Sequence, residues 1–333
     1  MGEDYKQVLR TLIGFGKNPN VGAVLIIALG CEGIQPEEVK KEIKKTLKPV
    51  EEVIIQKSGG TLKAIEKGTR LAKKMMSDLS LQNKLEFDIS EIILALECGG
   101  SDPTSGIAAN PAIGAASDLL IKNGSTSILS ETTELIGAEH ILAKRAINEK
   151  VAEKIYFIVN RTEKRAIEMG TDLRESQPTP GNIEGGLTTI EEKSLGCIYK
   201  AGYSPIKGVL EYAQEVPDEK GLYVMDTPGQ DIDSITGMLA GGAQIVVFTT
   251  GRGTPTGSPI APVIKVTGNT LTYRNMIDNI DINAGKIIDN NISIQEMGQE
   301  IFEEIVKVCN GKQTKAEILG HREFGIFRVG FTF

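Results

Sequence analysis

The stretch Ile92-Ile93-Leu94-Ala95-Leu96-Glu97-Cys98-Gly99-Gly100-Ser101-Asp102-Pro103-Thr104-Ser105-Gly106, followed by Ala108-Ala109-Asn110-Pro111, decides how the chain is read. Five apolar residues in a row, bounded by polar ones, predict a strand buried on both faces of a parallel sheet. The side chains then shrink to glycines and small hydroxyls around one thiol, Cys98, and one carboxylate, Asp102. A helix over 111–122 follows, with Asn110 as its N-cap and Pro111 as its first residue. Open α/β sheets hold ligands where a buried strand ends in a Gly-rich turn ahead of a helix, and the outward N–H groups there suit an anion. This turn is expected to grip an acidic small molecule.

Upstream, an amphipathic helix over 4–16 leads to an apolar strand, Val21–Leu29, a helix over 36–47 and a second strand over 50–56. Ser58 is the expected cap of a long helix reaching to about 81. The βαβα order implies a parallel sheet, but two strands and three helices make a thin unit. Residues 1–91 therefore read as a smaller, partial α/β domain, and residues 92–333 as a Rossmann-like parallel-sheet domain. In the second, further strands are expected at 125–129, 221–225, 245–249 and 263–267. Helices are expected near 138–146, up to 169, and at 189–200, 234–239, 270–279 and 293–310. The passage Gln177–Gly186 holds too much Pro and Gly for regular structure. Three of these strands also end in polar turns, Ser130–Glu134, Asp226–Gly229 and Thr249–Thr254. With residues 97–102 they would gather on one sheet edge as a binding site.

At 333 residues, with 40% hydrophobic and 24% charged side chains, the chain can bury an ordinary core. A net charge of −7 without a basic stripe argues against nucleic acid as a partner. The four cysteines form no C-x-x-C pair, which disfavours a disulfide framework and fits a reducing compartment. With no signal-peptide pattern and no apolar run long enough to span a bilayer, a cytoplasmic protein without membrane association is expected.

Two motifs mislead. Asp226-Thr227-Pro228-Gly229 mimics a GTPase switch, but no phosphate loop accompanies it, and Gly251-Arg252-Gly253 lacks the rest of a dinucleotide fingerprint. Arg252, between two glycines, suits bidentate carboxylate binding. Cys98 reads either as a small core residue or as a site thiol, and His140 either as a helix-face histidine or as a ligand. Asp102 reads equally as a turn-former or a functional carboxylate. Cys197 and Cys309 fall in helical patterns and read as core. Cys31-Glu32, at an earlier strand end, repeats the pairing of Glu97 with Cys98. Two thiols, carboxylates and a histidine would suit a divalent transition metal.

These residues carry a resemblance to the altronate/galactarate dehydratase family. The matching segments are Gly30-Cys31-Glu32, Glu97–Asp102, Ala109-Asn110-Pro111, Leu129–Thr132, Gly137–His140, Pro180–Asn182, Gly185–Gly196, Met225–Pro228, Phe248–Gly253, Pro262–Lys265 and Asp281–Asn283. They span nearly the whole chain. The resemblance implies removal of water from a sugar acid, an aldarate or aldonate, to give a 2-keto-3-deoxy acid. A sister branch instead releases sulfite from sulfolactate. It also implies a divalent cation, Fe2+ with Mn2+ as the alternative, and places Cys31, Cys98 and His140 as metal ligands. Cys98, Asp102, His140 and Asp226 are the expected catalytic residues. Ser101, Asn110, Asn182, Thr250 and Arg252 are expected to bind substrate, Arg252 through the carboxylate. Longer members carry a small N-terminal domain and the front of the middle domain ahead of the matched region. A small N-terminal-domain subunit as partner, homo-oligomeric assembly or a non-catalytic role in a split enzyme are the corresponding expectations.

Overall fold

The structure is a computed structural model that describes residues 2–289 and 292–330. Its strands are β1 (Val24–Ala28), β2 (Val50–Ile54), β3 (Ile93–Cys98), β4 (Thr126–Leu129), β5 (Ile206–Leu210), β6 (Leu222–Met225), β7 (Ile245–Thr250), β8 (Val263–Thr267) and β9 (Ile282–Asn283). β1 and β2 form a two-stranded parallel sheet, and the others a seven-stranded sheet in the order β5-β6-β4-β3-β7-β8-β9. Every pairing in that sheet is parallel. The α/β class is as the sequence predicts.

The large sheet starts at its centre. From β3 the chain builds outward through β4 to β6 and β5, then returns to lay β7, β8 and β9 on the other side. Strand order therefore reverses at β3, and the Gly-rich turn after β3 sits at the switch point where open sheets bind ligands. The reversal also explains the unbroken apolar run of β3. Leu94 and Leu96 face helices 110–122 and 294–309 through Ile113, Met297 and Ile301. Ala95 meets Met238 and Leu239 of helix 231–240 on the opposite face. A third cluster joins Leu129 and Val224 to Ile155 and Val159 of helix 149–168.

Helix 3–17 packs beside the large sheet as well as the small one. Asn18 at its end donates to the carbonyls of Leu239 and Ala243, at 2.8 and 2.7 Å. A Cβ at Gly14 would lie 2.1 Å from the Ala240 carbonyl, so only glycine permits this approach. Among the described residues no helix is long and apolar enough to cross a membrane.

Several local expectations change. Asn110 does not cap its helix, because residues 105–109 already wind into a π-type turn that runs on into helix 110–122. Its side chain is thereby freed to point into the protein. The long upstream helix begins at Thr61 after Gly60, whose φ of 100° breaks the chain there, and the Ser58 hydroxyl instead donates to the Ile54 carbonyl. Pro180 supplies a first helical residue, so the Pro/Gly passage contains the one-turn helix Pro180–Glu184. β5 and β9 escape the hydrophobic pattern because Lys207-Gly208 interrupts the first and the second is two residues long.

Candidate active site at the switch point

The turns after β3, β4, β6 and β7 meet over the C-terminal edge of the sheet, as their strands are neighbours in it. They enclose a cleft of about 220 Å³ lined by Cys98, Ser101, Glu131, Glu134, Asp231 and Arg252 among others. Lys193, Gly181 and Asn182 close it from the segment 180–201. That segment reaches the cleft because Gly106 and Gly196 let two backbones touch. A Cβ on Gly106 would fall 2.9 Å from the Gly196 Cα.

Beneath the cleft lies a buried polar cluster. Lys200 is 1% exposed and donates from Nζ to Glu131 Oε2 at 2.6 Å and Glu134 Oε2 at 2.9 Å. Lys193 Nζ lies 3.4 Å from Glu134 Oε1. Glu131 also accepts the Cys98 N–H at 3.0 Å. It adopts a left-handed backbone, φ 65°, a costly conformation for a residue with a Cβ and one concentrated at functional sites. Its own N–H donates to Thr227 Oγ1 at 2.7 Å, which helps hold that geometry. Glu97, wholly buried, accepts from the hydroxyls of Ser130 and Ser234 on Oε2, whereas its Oε1 has no partner among the described residues.

Charge decides protonation here. Two ammonium groups face the carboxyls of Glu97, Glu131, Glu134 and Asp231 and the thiols of Cys98 and Cys197. Burial would raise Glu134, but Lys200 and Lys193 hold it down to about 2. Burial, with Glu134 and Glu97 as like charges, pushes Glu131 up. Glu97 also rises through burial. One ammonium between two carboxylates leaves Glu134 as the ionised partner and Glu131 as the raised one. Burial and the Glu134 charge lift Asp231 to about 6. A hydrogen bond with Cys197 draws the Cys98 thiol down to about 7 and drives Cys197 up.

Among the described residues, two groups of three donors could hold a divalent cation. Cys98, Glu134 and Cys197 each bring one ligand atom within 4.8 Å of the others, and so do Glu97, Glu131 and Asp231. The first mixes thiolates with a carboxylate, as iron or zinc prefers, and the second is all oxygen. The excess of acidic groups and the orphaned Glu97 Oε1 both fit added positive charge.

The residues expected from sequence divide. Cys98, Ser101, Asn182 and Arg252 line the cleft. Ser101 Oγ hydrogen-bonds Cys98 Sγ at 3.0 Å, and Asn182 Nδ2 donates to the Ser101 carbonyl at 2.9 Å. Arg252 donates to the Gly181 carbonyl at 2.6 Å and pairs with Glu184 at 2.7 Å, with its side chain 40% exposed. Asn110 accepts from Thr249 Oγ1 and donates to the Gly196 carbonyl and, at 3.8 Å, to Cys98 Sγ. The Thr250 hydroxyl accepts the Gly253 N–H at 2.8 Å, shaping the Arg252 turn. Asp102 accepts from Thr104, Ser105 and Asn269, the pattern of a turn-forming carboxylate. Asp226 is held by Thr132 and Arg161. His140 is exposed on helix 139–143. Cys31 is exposed beside the two-stranded sheet, where Gln56 donates to its sulfur at 3.4 Å. Neither His140 nor Cys31 belongs to a three-donor group among the described residues.

Sequence reasoning passed over Glu131, Glu134, Asp231, Lys193, Cys197 and Lys200 as individual site residues. One signal was available: Lys193, Cys197 and Lys200 recur at i, i+4 and i+7, a single helix face carrying two amines and a thiol.

Comparison with known proteins agrees with this architecture. Residues 89–332 match the family model "D-galactarate/Altronate dehydratase, C-terminal", and residues 1–80 match "D-galactarate dehydratase/Altronate hydrolase, second domain". The chain is 41% identical to the (2R)-sulfolactate sulfo-lyase subunit beta of Chromohalobacter salexigens, over 98% of this chain and 84% of that one. It is 36% identical to the altronate dehydratase of Bacillus subtilis, over 100% of this chain and 66% of the relative. For the galactarate dehydratase (L-threo-forming) of Escherichia coli the figures are 37%, 96% and 62%. It thus spans at most about two thirds of these dehydratases but most of the sulfo-lyase subunit. On sequence and on the placement of its matching turns, the chain belongs to the galactarate/altronate dehydratase family.

Proposed function

We propose that the chain is a metal-dependent hydro-lyase that removes water from a sugar acid, an aldarate or aldonate, to give a 2-keto-3-deoxy acid. The observation that carries this reading is Asp231. A departing hydroxyl needs a proton, and Asp231, lifted to about 6, is a carboxyl on the cleft wall that holds one well above the ordinary aspartate range. Arg252, on the cleft wall, binds the substrate carboxylate. Lys193 places positive charge beside the enediolate that develops. Cys98, Glu134 and Cys197 would hold the cation. When bound, it would supply Lewis-acid polarisation of the substrate oxygens. Fe2+ suits the thiolates, with Mn2+ as the alternative.

The test is formation of a 2-keto-3-deoxy acid from a panel of aldonates and aldarates, with ferrous iron and with any small N-terminal-domain subunit supplied. Absence of product across the panel sinks the reading. Arg252→Ala is expected to weaken acid binding by about 2–3 kcal/mol through loss of a charge-assisted bond. Folding stability should barely change, since exposed ion pairs contribute little. Unchanged affinity by calorimetry would remove Arg252 from the site.

The second reading is sulfite release from sulfolactate. It is favoured by the 41% identity over 84% of the sulfo-lyase subunit. Sulfite leaves without prior protonation, so that reaction makes no demand on Asp231. Sulfite formed from sulfolactate, without water loss from sugar acids, would decide for it. Binding to a partner subunit, and cytoplasmic location of the assembly, belong to both readings.

A further inference from the structure

The cleft over Cys98 does not end at its own wall. A second compartment of about 320 Å³ adjoins it, and the two share Thr179, Lys193 and Gly229 as lining. The inner compartment alone is smaller than the roughly 300–1,000 Å³ usual for ligand sites, whereas the two together fall within that range. Gly229 keeps the neck open on one side, since a Cβ there would lie 2.3 Å from the Thr133 hydroxyl.

The compartments differ in chemistry. The inner one is crowded with ionisable groups. The outer one is lined by the hydroxyls of Thr133 and Thr179, the amides of Gln177 and Gln230 and the apolar side chain of Ile190, and its one ionisable group is Lys193 at the neck. The Lys193 ammonium is already matched by Glu134. Among the described residues, neither the Gln177 nor the Gln230 side chain makes a hydrogen bond within the chain, so both amides are free to serve a ligand. An uncharged lining of donors and acceptors suits hydroxyl groups. It offers no second cation to a second carboxylate, whose desolvation would go uncompensated.

We propose that the outer compartment is a specificity subsite for the neutral polyhydroxy tail of a six-carbon aldonate, with Gln177 and Gln230 as the residues that read it. The inference rests on the sugar-acid reading above and narrows it. The carboxylate lies toward Arg252, the reacting carbons lie between Cys98 and Asp231, and the tail passes Lys193 into the outer compartment. A four-carbon acid would leave that space unfilled, and a dicarboxylate would bring a charge into it.

Binding of altronate, galactarate and threonate to the full chain, loaded with ferrous iron and carrying Asp231→Asn to slow turnover, tests this directly by calorimetry. Altronate should bind on the order of tenfold more tightly than either other acid. Adding Gln177→Ala and Gln230→Ala should weaken altronate roughly three- to thirtyfold, about one net hydrogen bond per amide, and leave threonate within about twofold. Thr133→Val provides a second variant on the opposite wall with the same expected selectivity. The subsite is overturned if the three acids bind alike or not at all, if galactarate binds most tightly, or if the substitutions leave altronate unaffected or weaken threonate equally. Failure of the lyase reading is seen separately, as absence of keto acid from the wild-type chain.

Discussion

Replacing Lys200 by methionine is expected to cost about 3–5 kcal/mol of folding stability, the usual range when one partner of a buried ion cluster is removed. Lys200 is fully enclosed and donates to both Glu131 and Glu134. Methionine fills the stem but leaves two carboxyl groups buried away from water, with Lys193, 3.4 Å from Glu134, as the remaining cation. Urea unfolding followed by circular dichroism would measure the loss. Pairing Lys200→Met with Glu134→Gln should recover part of it, because the second change removes the stranded charge. A loss below about 1 kcal/mol, typical of surface sites, would show that the pairing contributes little to the native state.

Asp231→Asn is expected to lower kcat by about 10²–10⁴-fold with little change in KM, the span attributed to a positioned acid. Asparagine keeps the shape and cannot give a proton. The pH dependence supplies a sharper check. Asp231 must be protonated to act, so wild-type kcat/KM should fall as pH rises through about 6, and the variant should lack that limb. Stability follows the same group. Its folded value is raised, so the protonated form stabilises the fold fully below the ordinary aspartate range, and that stability is lost as pH rises through about 6. The Asn variant escapes this loss, and its stability relative to wild type should improve from about pH 4 to about pH 6 and level off above that. A parallel decline in both proteins would assign the limb to another group.

The two effects separate because the site has two layers. Lys200 is enclosed and acts through the fold, whereas Glu134, Asp231, Lys193 and Arg252 face the cleft. Substitutions below should be read in unfolding curves, and substitutions above in kinetics.

The amino-acid sequence by itself determined the α/β class, the buried strand over 92–97 and the four polar turns that meet at the sheet edge. These are local signals, in that an unbroken apolar run and a Gly-rich turn each lie within a dozen residues. Arg252 and Cys98 were legible for the same reason, since each sits inside a turn whose neighbours are glycines. Tertiary structure decided which side chains share the site. His140 and Asp226 lie close in sequence to the expected turns, yet one faces outward and the other is held by Arg161. Cys197 and Lys200 read as helix residues, and only the backbone contact of Gly106 with Gly196 brings them beneath Cys98. Charge pairing and desolvation depend on distances between residues far apart in the chain, and no periodicity within one segment records them. The turn after β3 thus marked where a ligand goes. The buried lysine and carboxyl groups under it, which set the protonation of that turn, became visible only once the chain was folded.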